Sequence, residues 1–121
     1  MIAANLMFAI DPVNVSTRER MGADLVFAEG VATFGLLIVI FGIVRAGNTS
    51  LVSFAVGSYI GAAYWFTSST SFANPAVTVA RTLSDTFAGI EPASAPLFIV
   101  AQLIATGLAI ATIRLLWPDR D

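Results

Sequence analysis

The chain has no charged residue from Ala46 to Ala80, yet a run of hydroxyl side chains and a proline interrupt this apolar stretch. The hydroxyl residues Ser68–Ser71 are followed, after two intervening residues, by the dipeptide Asn74-Pro75. Asn caps the free N–H groups of a helix start and Pro fits the first helical position, so a helix is predicted from Pro75 to about Leu83. Such a helix is about 14 Å long, roughly half of a ~30 Å hydrocarbon core. The polar segment before it is predicted to be non-helical.

The composition is that of a membrane protein. Of the 121 residues, 57% are hydrophobic and 12% are charged, with a mean hydropathy of +0.84. This is too apolar for an ordinary soluble domain, and a net charge of −2 indicates no nucleic-acid partner. The absence of Cys and His excludes disulfides, thiolate or imidazole metal sites and His-based triads. We therefore expect no cofactor, no metal site and no enzymatic activity.

The distribution of apolar residues predicts an all-α membrane protein in one partial domain over residues 1–121. Its predicted parts are the tail of a preceding helix (1–10), a water-exposed connection (11–24), three transmembrane helices (25–45, 50–67 and 95–117) and a re-entrant loop with a half-helix (68–92). The loop is predicted to face protein or a water-filled path, because non-helical backbone is not tolerated against lipid.

One carboxylate and one amide lie inside these apolar stretches. A carboxylate at Glu29 is costly in lipid. It is predicted either to lie near the headgroups or to be a buried acceptor that holds the polar segment before Asn74, and we favour this structural clamp over any proton-transfer role. Thr33 lies one turn further along the same helix face. Gln102 is predicted to hydrogen-bond the loop that follows the half-helix (84–92) or a neighbouring helix, with pore lining as the alternative.

Small residues mark the second predicted span. Gly57 and Gly61 form a small-xxx-small pair that allows close helix contact. The small side chains of residues 61–63 are alternatively suited to lining a pore wall.

Two motifs resemble those of the major intrinsic protein family, which comprises the aquaporins and glycerol facilitators. Asn74-Pro75-Ala76 is similar to its signature tripeptide, and Ala28-Glu29-Gly30 with Thr33 and Phe34 resembles the motif that opens the first helix of each half. The resemblance runs from about residue 24 to 117. It implies an aquaporin-like half-repeat of three transmembrane helices plus one re-entrant half-helix.

The resemblance also implies which half is present and where it resides. Residues 1–10 resemble the end of a third helix, so the chain resembles the C-terminal half of a bacterial member, in a multi-pass arrangement in the inner or plasma membrane. Arg45, Arg114 and Arg120 would then be cytoplasmic and Arg18 and Arg20 outside, in agreement with the positive-inside rule. Family members usually form homotetramers. The implied partners are the lipid bilayer, small uncharged solutes, and a complementary first half or a second copy, with the chain interpreted as truncated.

The function implied is passive conduction of water, glycerol-like polyols or undissociated metalloid acids. The pore motif would be Asn74, Pro75 and Ala76, and the filter or pore-lining residues would be Phe72, Ala73, Val77, Ala62 and Arg81. Most family members place an arginine where this chain has Val77, which predicts a wider and less polar filter. Arg81 is predicted to line the vestibule or, alternatively, to pair with Asp85.

Two other classes of function remain open from the sequence. A non-transporting scaffold or assembly subunit would use Asn74-Pro75 only as a kinked helix start. A fragment of a secondary transporter is the other alternative, because broken helices also build transporter sites. A coupled transporter usually has a titratable residue near its unwound segment, and none lies between Arg45 and Arg81.

Overall fold

The computed structural model describes residues 1–118, in which the regular secondary structure is helical. The helices are α1 (Ile2–Met7), α2 (Ala23–Arg45), a short 3-10 helix (Thr49–Leu51), α3 (Val52–Phe66), α4 (Pro75–Arg81) and α5 (Ala95–Leu116). Arg120, which the sequence assigns to the cytoplasmic side, lies outside the described residues.

Two helices are long and apolar enough to cross a membrane, where the sequence predicted three. They are α2 with 23 residues and α5 with 22. Their most apolar windows are only 22% and 28% buried, unlike the core helices of a soluble protein. Helix α3 has 15 residues and is about 22 Å long, less than a ~30 Å hydrocarbon core. It is short because the 3-10 turn precedes it and the backbone becomes extended at Thr67.

Helices α2 and α5 pack against each other and run parallel, because Glu29 meets Gln102 near their starts and Arg45 meets Trp117 at their ends. Helix α3 packs back along α2 after the short turn that joins them. The far ends of α2 and α5 are joined by a hydrogen bond from Arg45 Nη1 to the Trp117 carbonyl oxygen (3.3 Å). Helix α3 approaches α2 through Tyr59, whose hydroxyl donates to the Ala32 carbonyl oxygen (3.1 Å) and lies against Gly35. A Cβ at Gly57 or Gly61 would meet nothing within 4 Å, so the predicted small-residue contact is not formed within the described chain.

The core lies at one end of this bundle, where α2 and α5 begin and α3 ends; we call this the mouth end. Its members are Phe72, Ile90, Ala95 and Phe98, with Leu25, Val26 and Val77 packed against them. The rings of Phe72 and Phe98 lie 5.6 Å apart. Non-helical backbone around residue 72 is therefore part of the hydrophobic core.

The sequence predicted a water-exposed connection before α2, but part of this connection is buried. Ser16 and Arg20 are 2% and 3% exposed. Backbone hydrogen bonds run between this connection and the loop after α4: Asn14 N to Leu83 O (3.2 Å), Ser16 N to Thr82 O (2.9 Å), and Glu91 N to Arg18 O (2.8 Å). We call residues 14–20 the strap and residues 82–94 the return loop. The strap lies on the return loop because the backbone N–H groups of each segment donate to carbonyl oxygens of the other.

Helix α1 is also tied to the return loop, through one side chain. Asn5 is 2% exposed, and its Nδ2 donates to the carbonyl oxygens of Pro12 (3.3 Å) and Leu83 (3.2 Å). Its Oδ1 accepts from the Ser84 hydroxyl (2.8 Å).

Candidate functional site

Residues 67–74, which we call the arm, connect α3 to α4 through an unusual backbone. Thr70, Ser71 and Ala73 have φ angles of 64°, 53° and 50°. Left-handed conformations cost energy in residues with a Cβ and persist only where surrounding contacts impose them. The arm must therefore be held by specific partners.

Glu29 is the principal partner of the arm. Its side chain is fully buried, and it lies about 9 Å along α2 from the first residue of that helix. Its carboxylate accepts hydrogen bonds from the backbone N–H of Phe72 (3.2 Å, to Oε2) and of Ala73 (2.6 Å, to Oε1). A buried carboxylate is tolerated where it accepts several such bonds, and these bonds fix the position of the arm.

Gln102 joins α5 to the same group. Its Nε2 donates to Glu29 Oε1 (2.6 Å) and to the Thr78 hydroxyl oxygen (2.8 Å), so one amide bridges α2, α4 and α5. Thr78 in turn donates to the Asn74 carbonyl oxygen (3.1 Å). Thr33 does not join this network, because its hydroxyl donates to the Glu29 carbonyl oxygen within α2 (2.9 Å).

The Asn74-Pro75-Ala76 tripeptide forms the start of α4. Asn74 Oδ1 accepts from the Ala76 N–H (2.8 Å), and Pro75 occupies the first turn. With Oδ1 committed to this cap, Nδ2 is the group of Asn74 left to donate outward, and the residue is exposed. Helix α4 ends at Arg81 and not near Leu83 as predicted, so it is only about 10 Å long.

The arm keeps a set of unused hydrogen-bond acceptors. Within residues 1–118, the backbone carbonyls of residues 70–73 accept no hydrogen bond, whereas the amides of Phe72 and Ala73 are bound to Glu29. The buried hydroxyls of Thr70 and Ser71 also have no partner among the described residues. The N–H groups of Ser71, Phe72 and Ala73 thus have partners, while the carbonyl oxygens of residues 70–73 remain available to a polar solute.

The predicted filter residues occupy different environments. Phe72 and Ala73 are buried in the arm, Ala62 is exposed on α3, and Val77 is half-buried against the core cluster. Arg81 is half-exposed at the end of α4.

Arg81 is held at the mouth end by neutral groups. Its guanidinium donates to the Ala88 carbonyl oxygen (3.0 Å) and the Tyr64 hydroxyl (2.9 Å), and lies 4.7 Å from the centre of the Phe72 ring. The alternative pairing with Asp85 is not formed, because that carboxylate accepts from Thr17 N (3.0 Å) and from the hydroxyls of Thr17 and Ser16.

Sequence reasoning missed two residues of this region. Thr78 lies one turn after Asn74, and that spacing is a signal that could have placed its hydroxyl near the helix start. Arg20 is buried, and it contacts both the arm and the return loop. Nothing in the local sequence distinguishes it from Arg18, because its partners are 49 to 69 residues away.

Comparison with known proteins gives one informative relative. The chain is 47% identical over 118 residues to the aquaglyceroporin AqpS of Rhizobium meliloti (strain 1021), an alignment that covers 97% of this chain. In sequence, the chain corresponds to one half of a major intrinsic protein. The family resemblance predicted from the tripeptide is thereby confirmed.

The chain spans about half the length of that relative, since the alignment covers 50% of it. No protein-family profile matches the chain, and no solved structure gives a significant match. As a major intrinsic protein sequence with two long apolar helices, it is a membrane protein related to a solute channel.

Proposed function

We propose that this chain is half of a passive pore for small uncharged solutes, namely water, glycerol-like polyols or undissociated metalloid acids. In this proposal α2, α3 and α5 surround the site, with the arm and α4 as the re-entrant segment. The observation that carries the proposal is the arm: its Phe72 and Ala73 amides are bound by Glu29, while the carbonyls of residues 70–73 accept no hydrogen bond within residues 1–118.

Hydrogen-bonding groups along the path can replace the hydration of a neutral solute. The free carbonyl oxygens would accept from water or from a polyol hydroxyl, and Asn74 Nδ2 would donate to its oxygen. The groups near the path are backbone oxygens, an amide and apolar side chains, which bind solutes weakly enough to release them. No covalent step is required.

The residues proposed for the filter favour permeation by solutes larger than water. Val77 is aliphatic where most members of the family place an arginine, and Ala62 on α3 is small and exposed. Without a guanidinium directly after the tripeptide, the opening is wider and less polar. Arg81, half-exposed and fixed by Tyr64 and Ala88, would supply the cationic group of the outer vestibule.

A complete pore needs a second half. Helix α4 is about 10 Å long and reaches only part of the way across a ~30 Å core. The relative is twice as long as this chain, which supports a complementary half as the missing wall. A second copy inserted in the opposite orientation is the other arrangement that would close it.

The test is osmotic swelling of proteoliposomes that contain the chain alone, or the chain with the half of AqpS that it does not match. We expect rapid swelling in a glycerol gradient once both halves are present. Asn74→Asp keeps the helix cap but removes the amide donor, and losing one such hydrogen bond should slow glycerol entry by about tenfold.

The matched control is Asn48→Asp, which makes the same chemical change at an exposed turn far along the chain from the arm. It should leave the swelling rate unchanged. If neither preparation swells faster than empty vesicles, the pore proposal is wrong.

A further inference from the structure

We propose that Arg20, on the strap, is the positioning residue that fixes the arm and the Phe72 ring at the mouth end and thereby sets which solutes pass. This inference rests on the proposed pore function for its effect on selectivity. It assigns a role to a residue outside the tripeptide, the filter position and the helices.

The guanidinium of Arg20 connects three separate backbone points. Nε donates to the Gly89 carbonyl oxygen (2.8 Å), Nη1 to that of Ser69 (3.0 Å) and Nη2 to that of Phe87 (3.0 Å). Its own backbone N–H donates to the Ser94 hydroxyl (3.0 Å). One side chain therefore joins the arm, through Ser69, to two points of the return loop.

Arg20 also reaches the aromatic ring of the arm. Its guanidinium carbon lies 5.3 Å from the centre of the Phe72 ring, and that of Arg81 lies 4.7 Å from the same centre. Both distances are within the range of a cation–π interaction. The two arginines differ in access: Arg20 is 3% exposed, whereas Arg81 is half-exposed. Arg81 can therefore contact a solute, whereas the buried Arg20 holds the Phe72 ring in place. Arg81 lies against that same ring.

The charged guanidinium of Arg20 is buried, which is energetically unfavourable unless the charge is stabilised by nearby groups. Burial, followed by the neighbouring charges of Arg18 and Arg81, lowers the pKa of Arg20, and Glu29 partly opposes this effect. An arginine stays protonated even so. Its hydrogen bonds go to carbonyl oxygens, so the charge is stabilised by the dipoles of the very segments that it connects.

The consequence of losing the guanidinium falls on the arm. The Ser69 carbonyl oxygen would lose its hydrogen bond from Arg20, and with it the link through Arg20 to the return loop. This loss falls immediately before Thr70 and Ser71, whose left-handed backbone requires external support. The arm would retain Glu29 on its inner side but would be released on its outer side. Phe72 and the carbonyls of residues 70–73 would then become less precisely placed.

The experiment compares Arg20→Gln and Arg20→Lys with the parent chain in the two-half proteoliposomes. Arg18→Gln is the matched control, because Arg18 is exposed and its guanidinium lies over the Phe87 ring, with no hydrogen bond to the arm among the described residues. The first readout is the ratio of glycerol to water permeability. The second is hydrogen exchange of the peptide that covers residues 68–74.

We expect Arg20→Gln to change the permeability ratio and to accelerate exchange of the Phe72 and Ala73 amides by at least about tenfold, since charge-assisted bonds are lost. Arg20→Lys keeps the charge but cannot span three carbonyls, so it should fall between the parent and Arg20→Gln. If Arg20→Gln does not fold, Arg20→Lys decides the matter.

Two results would overturn the inference. One is a permeability ratio in both Arg20 variants that equals that of Arg18→Gln. The other is parent-like exchange over residues 68–74. If the parent vesicles conduct nothing, the proposed pore function fails, and the exchange measurement still decides whether Arg20 positions the arm.

Discussion

The substitution Glu29→Gln tests whether one carboxylate holds the arm in place. In the parent, two carboxylate oxygens receive three N–H donors, from Phe72, Ala73 and Gln102. The variant has the same size but only one acceptor oxygen, and its new NH₂ group must face one of those donors. At least one buried N–H loses its partner, and the remaining bonds become neutral.

The magnitude follows from these contacts. An unsatisfied buried donor costs about 1–3 kcal/mol, and changing two bonds from charged to neutral acceptors removes about 1 kcal/mol each. We therefore expect Glu29→Gln to lower the free energy of unfolding by roughly 3–5 kcal/mol. The strained residues of the arm should also exchange their amide hydrogens faster, because the bonds that impose their conformation are weaker.

The assay is reversible denaturation in mixed micelles, with Glu19→Gln as the control because that carboxylate is exposed on the strap. The control should shift the free energy of unfolding by less than about 0.5 kcal/mol. The double variant Glu29→Gln/Gln102→Glu exchanges the two groups, so the new carboxylate can accept from the new amide. It should recover about 1–2 kcal/mol of coupling. If Glu29→Gln is no more destabilised than the control, the carboxylate does not hold the arm.

Two further substitutions test the return loop and the filter. Gly89→Ala should destabilise the fold by about 1–3 kcal/mol, because a Cβ there would collide with the Ser84 carbonyl oxygen and the Ser16 hydroxyl. The control is Gly107→Ala, which adds a methyl group in open space on α5. Equal thermal stability of the two variants would contradict the close packing of the strap on the return loop. Val77→Arg should lower glycerol permeability more than water permeability, because the larger side chain narrows the filter. The control Val79→Arg, at an exposed position, should leave the ratio of glycerol to water permeability unchanged. An unchanged ratio in Val77→Arg would show that residue 77 does not line the filter.

Sequence patterns predicted the features that depend on neighbouring residues in the chain, such as the start of α4. The dipeptide Asn74-Pro75 sets a helix start without help from the rest of the fold, and α4 begins at Pro75 with the Asn74 cap formed. A carboxylate within an apolar run needs partners wherever it lies, so Glu29 and Gln102 could be singled out. The unwound backbone supplied the N–H groups that this carboxylate requires.

Features that depend on distant contacts could not be predicted in this way. Helix α4 stops at Arg81 because the carbonyl oxygens that would continue it have other partners: those of Thr82 and Leu83 accept from the strap, and that of Arg81 accepts from Ile90 N in the return loop. The burial of Arg20 depends on carbonyl oxygens far along the chain, and a charged residue in a polar connection gives no sign of it. The choice between Asp85 and neutral partners for Arg81 likewise depended on where the strap lies.

If the arm and α4 form one side of a passive path for neutral solutes, glycerol should cross the membrane without any ion gradient. The most direct measurement is entry of radiolabelled glycerol into vesicles that contain both halves, with proton and sodium gradients collapsed. We expect glycerol entry well above that of empty vesicles, slowed by Asn74→Asp and unaffected by restoring either gradient. Entry that equals that of empty vesicles, or that requires a proton or sodium gradient, would contradict it.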